Sequence, residues 1–359
     1  MDGGGTAAAA PEFVVIGAGG IGGVVGAHFA RAGHPVLLVD TAAEHVAAIR
    51  ERGLAVEGRV GFTIRVPAVT PAELPGALGG APVRTALLAV KAHHTVEALE
   101  PLLPLLDGDG AVVSLQNGLN ERDIAERVGA PRTIGAFVNF GADYLGPGRV
   151  LLASTAELYL GELDGRMTDR LERLGATFRE AFLPHTTLTA NIWGYLWGKL
   201  GYAAMLFATA TTDETMAAAF AKRAHHPLLA NLAAEVVRVA DAEGVRCEGF
   251  SGYDPDVMRF RTPRDWDGIH RVLDRRAEVN SRSLNSHNGI WRDIVVKRRR
   301  TEVDSQLGAV VRVARTRGVP VPLNERVIEA IHELETGRRA MSSGNVDELC
   351  RLSDAVYPS

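Results

Sequence analysis

Cysteine is almost missing from this chain. Only Cys247 and Cys350 occur, far apart and outside any C-x-x-C spacing, which leaves no basis for a disulfide framework or a cysteine zinc site and fits a reducing compartment. Long apolar runs are lacking too, since none approaches the ~20 residues a membrane-spanning helix needs. Charge of one sign is scarce: the formal net charge is −4, so nothing in the electrostatics calls for a nucleic-acid partner. Residues 1–11 are rich in glycine and alanine, with no basic start and no apolar centre. They read as a disordered tail and not as a secretory signal. His93-His94 and His225-His226 lack the i, i+4 pairing and nearby carboxylate of a metal site, so no metal is expected. These absences together point to a cytoplasmic protein with no membrane and no nucleic-acid partner. Its 359 residues exceed what one core usually organises, so two domains are expected.

What is present is most specific near the start. Phe13-Val14-Val15-Ile16 is a short apolar run that breaks into Gly17-Ala18-Gly19-Gly20-Ile21-Gly22. A helical pattern follows to Ala32 and stops at Gly33, and a second apolar run, Pro35 to Val39, ends in Asp40. Strand, Gly-x-Gly-x-x-Gly turn, helix and strand, closed by an acid about 20 residues on, is the order a dinucleotide-binding βαβ unit requires. Gly17 would allow the tight turn, Gly19 would let the backbone approach a pyrophosphate, and Gly22 would let helix and strand pack closely. Gly20 and Ile21 open the helix, whose free N–H groups and macrodipole favour an anion. Asp40 can accept from both ribose hydroxyls and would repel a 2′-phosphate, so the cofactor is NAD(H) or NADP(H), with Asp40 favouring NAD(H).

Up to about Leu188 the chain alternates short aliphatic runs with helical stretches. Thr85 to Val90 and Ala111 to Leu115 are apolar throughout, as strands buried on both faces of a parallel sheet are. Leu54 to Val56 and Phe62 to Val66 flank a polar, glycine-containing stretch and read as a hairpin, and Asp107 to Gly110 reads as a turn. The runs around Val150 and Leu158 read as antiparallel additions. From Asn191 onward helical patterns dominate: Ile192 to Ala208, Pro227 to Glu243, Val272 to Leu284, Glu302 to Arg317 and Asn324 to Glu335. The expected fold class is α/β, an N-terminal Rossmann dinucleotide-binding domain over residues 12–188 followed by an all-helical C-terminal domain over residues 189–359.

Several residues stand where chemistry is possible. Lys91 and Asn117 each follow a buried strand, and the carboxyl ends of parallel strands line the ligand crevice of such sheets. Lys91 is either a ligand contact or a solvated strand-end lysine. Asn117 precedes Gly118, so it is equally a turn asparagine. Lys199 is the single lysine of the apolar helix Asn191 to Leu200. There an ammonium either snorkels to water or is buried with a depressed pKa, which would suit a general acid. Glu302 follows the basic run Lys297 to Arg300 and can equally be a helix-start carboxylate.

Five motifs in order, Gly17 to Gly22, Ala89-Val90-Lys91-Ala92, Gln116-Asn117-Gly118, Leu196-Trp197-Gly198-Lys199-Leu200 and Arg300-Thr301-Glu302-Val303-Asp304, resemble the ketopantoate reductase family from Phe13 to about Ile331. The resemblance implies hydride transfer from NAD(P)H to the carbonyl of a 2-oxo acid, 2-dehydropantoate or a bulkier, more apolar relative. It implies Lys199 as catalytic lysine, Glu302 as substrate-binding glutamate, Asn117 as active-site asparagine and Lys91 as a lysine beside the cofactor. It also implies a homodimer. The chain departs from the family pattern where asparagines are usual four and eight residues after the lysine: Ala203 and Phe207 stand there. The usual serine falls near Asn288-Gly289, with Ser286 the nearest hydroxyl, and the segment from Gly249 to Trp266 is longer than a minimal member needs. Two other readings follow: an NAD-dependent D-2-hydroxy acid dehydrogenase of the same fold, and a non-catalytic dinucleotide-binding sensor or scaffold.

Overall fold

The computed structural model describes residues 10–282 and 286–358. All but the last two residues of the expected tail therefore lie outside the described residues, as does the expected helix end at Leu284. The described chain divides into two compact units, one running to Gln116 and resuming over Asn120–Ile192, the other comprising Asn117–Leu119 and the chain from Trp193 on.

The first unit is built on an eight-stranded sheet. Its strands are β1 (Phe13–Ile16), β2 (Val36–Val39), β5 (Ala68–Val69), β6 (Val83–Leu88), β7 (Leu106–Ser114), β8 (Thr133–Val138), β11 (Leu158–Glu162) and β12 (Thr187–Leu188), while β3 (Leu54–Gly58), β4 (Phe62–Ile64), β9 (Gly141–Gly146) and β10 (Arg149–Ser154) form a second sheet. The order in the large sheet is β12-β11-β8-β7-β6-β1-β2-β5, parallel from β8 to β5. The six strands from β5 to β8 follow the doubly wound order, which reverses beside β1, so the glycine turn leaves the sheet at its topological switch point. Both faces are covered. Phe13 and Val15 join one apolar core with Phe29 and Phe178, while Val14 and Ile16 join the other with Leu99 and Ile124. Strict side-chain alternation along an extended strand sends consecutive apolar residues to opposite faces, which is why these strands read as unbroken hydrophobic runs.

Two local expectations are corrected, and two more gain their place in the fold. Asp107 to Gly110 lies within β7, not in a turn between elements. The ladder against β6 skips from Leu106 to Ala111 while the partner moves only from Val83 to Thr85, and Asp107 Oδ1 accepts from the Asp109 N–H at 3.2 Å. The turn chemistry is real, but it makes a bulge. The Leu54 hairpin forms, β3 against β4, yet it joins the second sheet, where β10 pairs parallel to β3 and antiparallel to β9. Both expected additions form antiparallel pairs, β11 with β8 in the large sheet and β10 with β9 in the second. The helix expected to start at Val272 begins at Trp266, where Asp265 caps it by accepting from the Gly268 N–H.

In the helical unit the His226–Ala242 helix is buried over most of its length and packs against Val303–Arg317, Pro322–Glu335 and Ser343–Val356. Its Glu235 carboxylate accepts from the Leu323 and Asn324 N–H groups at 3.0 Å each and from the Tyr357 hydroxyl at 2.9 Å, satisfying the start of the Pro322–Glu335 helix from a neighbouring one. The helix that begins at Ser343 was not foreseen.

His226 donates from Nε2 to the Phe220 carbonyl at 2.9 Å, so its Nδ1 must accept from His270 Nδ1 at 2.8 Å. Burial lowers the His226 pKa below 6.5, against the opposing effect of the Phe220 carbonyl, and burial lowers that of His28 as well. Folding therefore favours the neutral rings. Their contribution is complete above pH 6.5 and is lost as the pH falls through that value toward the folded-state pKa. Melting temperature should accordingly drop between about pH 7.5 and about pH 5.5, and His226→Gln should flatten that slope. A wild-type melting temperature that rises over the same interval contradicts the assignment.

Candidate active site

The glycine turn has the local geometry its sequence requires. Gly17 has φ +95°, and a Cβ there would lie 2.9 Å from both the Val90 N and Val90 Cγ1, so only glycine fits. A Cβ on Gly22 would lie 2.0 Å from the Gly17 carbonyl oxygen and 2.9 Å from Ala89 Cβ, which brings the helix Gly20–Arg31 close onto β1 and the loop after β6. Gly20 instead stands against the backbone of Asp143 in β9, 2.9 Å from where its Cβ would be. Gly19 differs from all of these: an added Cβ meets nothing within 4 Å. The helix it caps has no acidic residue in its first turn and no side-chain cap. The start of the helix thus offers an open cradle with uncancelled positive dipole, which fits a pyrophosphate.

Asp40 stands at the end of β2, half-buried. Its Oδ2 accepts from the Ala18 N–H at 2.8 Å and its Oδ1 from the Ala42 N–H at 2.9 Å. The carboxylate therefore braces the turn. Tyr144 of β9 lies close by. Burial, then the charges of Glu44 and Asp40, push its hydroxyl above the usual tyrosine pKa. The charges of Glu44 and Asp40 are therefore both felt beside this strand end.

Lys91 is exposed and starts the short turn Ala92–His94 after β6. The loop that carries it is tied to the end of β7 by Gln116, whose Nε2 donates to the Val90 carbonyl and to Thr95 Oγ1, both at 2.9 Å. The next three residues, Asn117–Leu119, belong to the helical unit. There Lys199, half-buried on the helix Ile192–Thr209, donates from Nζ to Asn117 Oδ1 at 2.7 Å. Lysine has no acceptor, so this contact fixes the amide orientation of Asn117, with oxygen toward the ammonium and Nδ2 on the other side. Two residues 82 apart in sequence, picked out separately, are brought together.

Glu302 takes the N-cap position of Val303–Arg317. Its carbonyl accepts from the Gln306 N–H and Ser305 Oγ at 3.0 Å each, and the preceding Thr301 N–H donates to Glu335 Oε1 at 2.7 Å. Ala203 and Phe207 are buried, Phe207 completely. Asn288 is no substitute for a substrate-facing serine. It is buried, donates to the Leu206 carbonyl and accepts from the Trp291 N–H, both at 2.9 Å. Ser286 Oγ lies 2.9 Å from His287 Nδ1, and His287 stacks on Trp291 at 4.0 Å. The sequence had not marked His45, Tyr144 or Glu44, whose neighbours in space lie far along the chain.

A family model described as "Ketopantoate reductase PanE/ApbA" matches residues 13–165, and one described as "Ketopantoate reductase PanE/ApbA C terminal" matches residues 191–335. A 2-dehydropantoate 2-reductase of Halobacterium salinarum is 30% identical over 86% of this chain and 94% of its own length. One from Pyrococcus abyssi is 28% identical over 87% and 94%. Among solved structures, D-mandelate dehydrogenase with NADH and anilino(oxo)acetate superposes with a TM-score of 0.75 at 22% identity, covering 90% of this chain and 98% of that one. The 2-dehydropantoate 2-reductase of Geobacter metallireducens does so with 0.75 at 23%, covering 89% and 99%.

Proposed function

This chain belongs to the ketopantoate reductase family, and from that premise we propose that it reduces the keto group of a 2-oxo acid with a nicotinamide dinucleotide, Lys199 serving as proton donor. It is an oxidoreductase of the ketopantoate reductase type. The observation that carries the residue assignment is the 2.7 Å hydrogen bond from Lys199 Nζ to Asn117 Oδ1.

Gly17, Gly19, Gly20, Ile21 and Gly22 would form the pyrophosphate turn, Asp40 would meet the adenosine ribose, and Lys91 would lie beside the cofactor. When bound, the nicotinamide supplies the hydride. Lys199 gives a proton to the oxygen that becomes the product hydroxyl, and its ammonium charge stabilises the negative charge developing there. Asn117, held by Lys199, directs its amide donors toward the carbonyl or the cofactor amide. Glu302 holds a substrate hydroxyl. Pairing of two copies through the helical unit and a cytoplasmic location belong to the same reading.

Asp40 and Glu44 favour NADH over NADPH, because a 2′-phosphate would face two carboxylates. Ala203 and Phe207 remove amide donors, which favours a bulkier, more apolar oxo acid over ketopantoate. A second reading, oxidation of a D-2-hydroxy acid with NAD, draws on the same two features. Initial rates in both directions, with both cofactors and a panel of branched, aromatic and hydroxyl-bearing 2-oxo acids, test this. The expected outcome is a kcat/KM at least about tenfold higher with NADH and faster turnover of the apolar acids. Preference for NADPH removes the role given to Asp40, and strong preference for ketopantoate removes the apolar substrate. Tight NADH binding without turnover of any oxo acid points to a sensor instead.

A further inference from the structure

His45 has no place in the chemistry above, yet it is buried to 1% exposure directly beneath the glycine turn. It lies on the helix Ala43–Arg52. The Gly148 N–H donates to its Nδ1 at 2.9 Å, so Nδ1 carries no proton. Nε2 is then the protonated nitrogen, and it donates to the Ala18 carbonyl at 2.9 Å. The N–H of Ala18 is held from another side by Asp40 Oδ2 at 2.8 Å. Residue 18 is thus clamped at both of its backbone polar groups.

In a trans peptide the carbonyl and the following N–H point in opposite directions. Pinning the Ala18 carbonyl onto His45 therefore turns the Gly19 N–H away from the ring, on the residue whose surroundings are open. We propose that His45 is a positioning residue for dinucleotide binding, which sets the Ala18–Gly19 peptide so that the Gly19 N–H meets the pyrophosphate. The ring gets its own orientation from the turn between β9 and β10, through Gly148. That hairpin also abuts the glycine turn at Gly20 and Asp143, and Tyr144 packs edge-on to His45 at 5.1 Å. The second sheet is, in this view, the buttress of the cofactor turn. The inference rests on the reading that this turn holds a nicotinamide dinucleotide.

Direct titration of the full-length protein with NADH, followed by calorimetry, tests both levels. His45→Leu removes the donor, and His45→Gln keeps one for the Ala18 carbonyl. Expected results are a dissociation constant raised at least about tenfold by His45→Leu, and within about threefold of wild type for His45→Gln, the price of one misplaced peptide against one retained hydrogen bond. Steady-state kinetics should place the loss in the cofactor KM, with a much smaller change in kcat and in the oxo-acid KM, a split that a general loss of structure would not produce. His45→Met repeats the test should the leucine variant not fold. Equal NADH affinity in the wild type and the donor-free variant overturns the inference, as does a glutamine variant as weak as leucine. No NADH binding by the wild type overturns instead the cofactor reading beneath it.

Discussion

Lys199→Ala is expected to lower kcat for oxo-acid reduction by about 10²–10⁴-fold, the usual range for loss of a positioned general acid. The effect should fall on kcat and leave NADH affinity nearly unchanged, because the role proposed for the lysine is proton donation to the substrate oxygen and not cofactor binding. Stability should change little. The side chain is half-buried, and the packing of its helix rests on neighbours such as Trp197 and Phe207, which are fully buried. Asn117→Ala should cost less, since it removes an orienting partner while the proton donor remains. Stopped-flow measurement of NADH oxidation separates these cases. Unchanged turnover in Lys199→Ala would leave the catalytic assignment without support, whatever the fold.

The second large effect is a contrast between two glycines of one turn. Gly22→Ala places a methyl group 2.0 Å from the Gly17 carbonyl oxygen, with Ala89 and Val15 side chains at 2.9 Å. The first of these neighbours is turn backbone and the other two are short side chains that cannot swing aside, so the helix must shift. A loss of about 2–3 kcal/mol is expected, in the range for overpacking a tight interface, together with at least about tenfold weaker NADH binding. Gly19→Ala should do the opposite on stability. Its φ of −69° suits alanine, and the added methyl meets no protein atom within 4 Å. Melting temperature should stay put while NADH binding weakens strongly, because the methyl occupies the cradle. Calorimetric melting and NADH titration of both variants check this. If Gly19→Ala binds NADH as the wild type does, the pyrophosphate does not sit at this turn.

Much of the site was readable from residue order. The strand, the Gly-x-Gly-x-x-Gly turn and the helix form over about twenty consecutive residues, and the positive φ of Gly17 and the contact of Gly22 with the Gly17 carbonyl are constraints within the turn itself. Asp40 follows at the next strand end, and Lys199 stands out because a lone cation interrupts an apolar helix. What the order of residues misassigned is equally informative. Asp107 to Gly110 carries honest turn chemistry, but a neighbouring strand absorbs it as a bulge. The hairpin at Leu54 was legible, whereas its membership of a second sheet was not, because that depends on β10, paired to it from about a hundred residues away.

Local order therefore settled most of the strands and helices, where the glycine turn falls, and which charged residues interrupt apolar surroundings. Packing alone settled that Lys199 meets Asn117 across 82 residues, and that His45 meets Gly148 across 103. It also decided that Asn288 is spent on the Leu206 carbonyl. The reason is one of range. Periodicity, φ preference and capping act between residues a few positions apart, and each leaves a trace in the string of letters. A hydrogen bond between distant segments exists only once whole layers have stacked, and nothing near either partner announces the other.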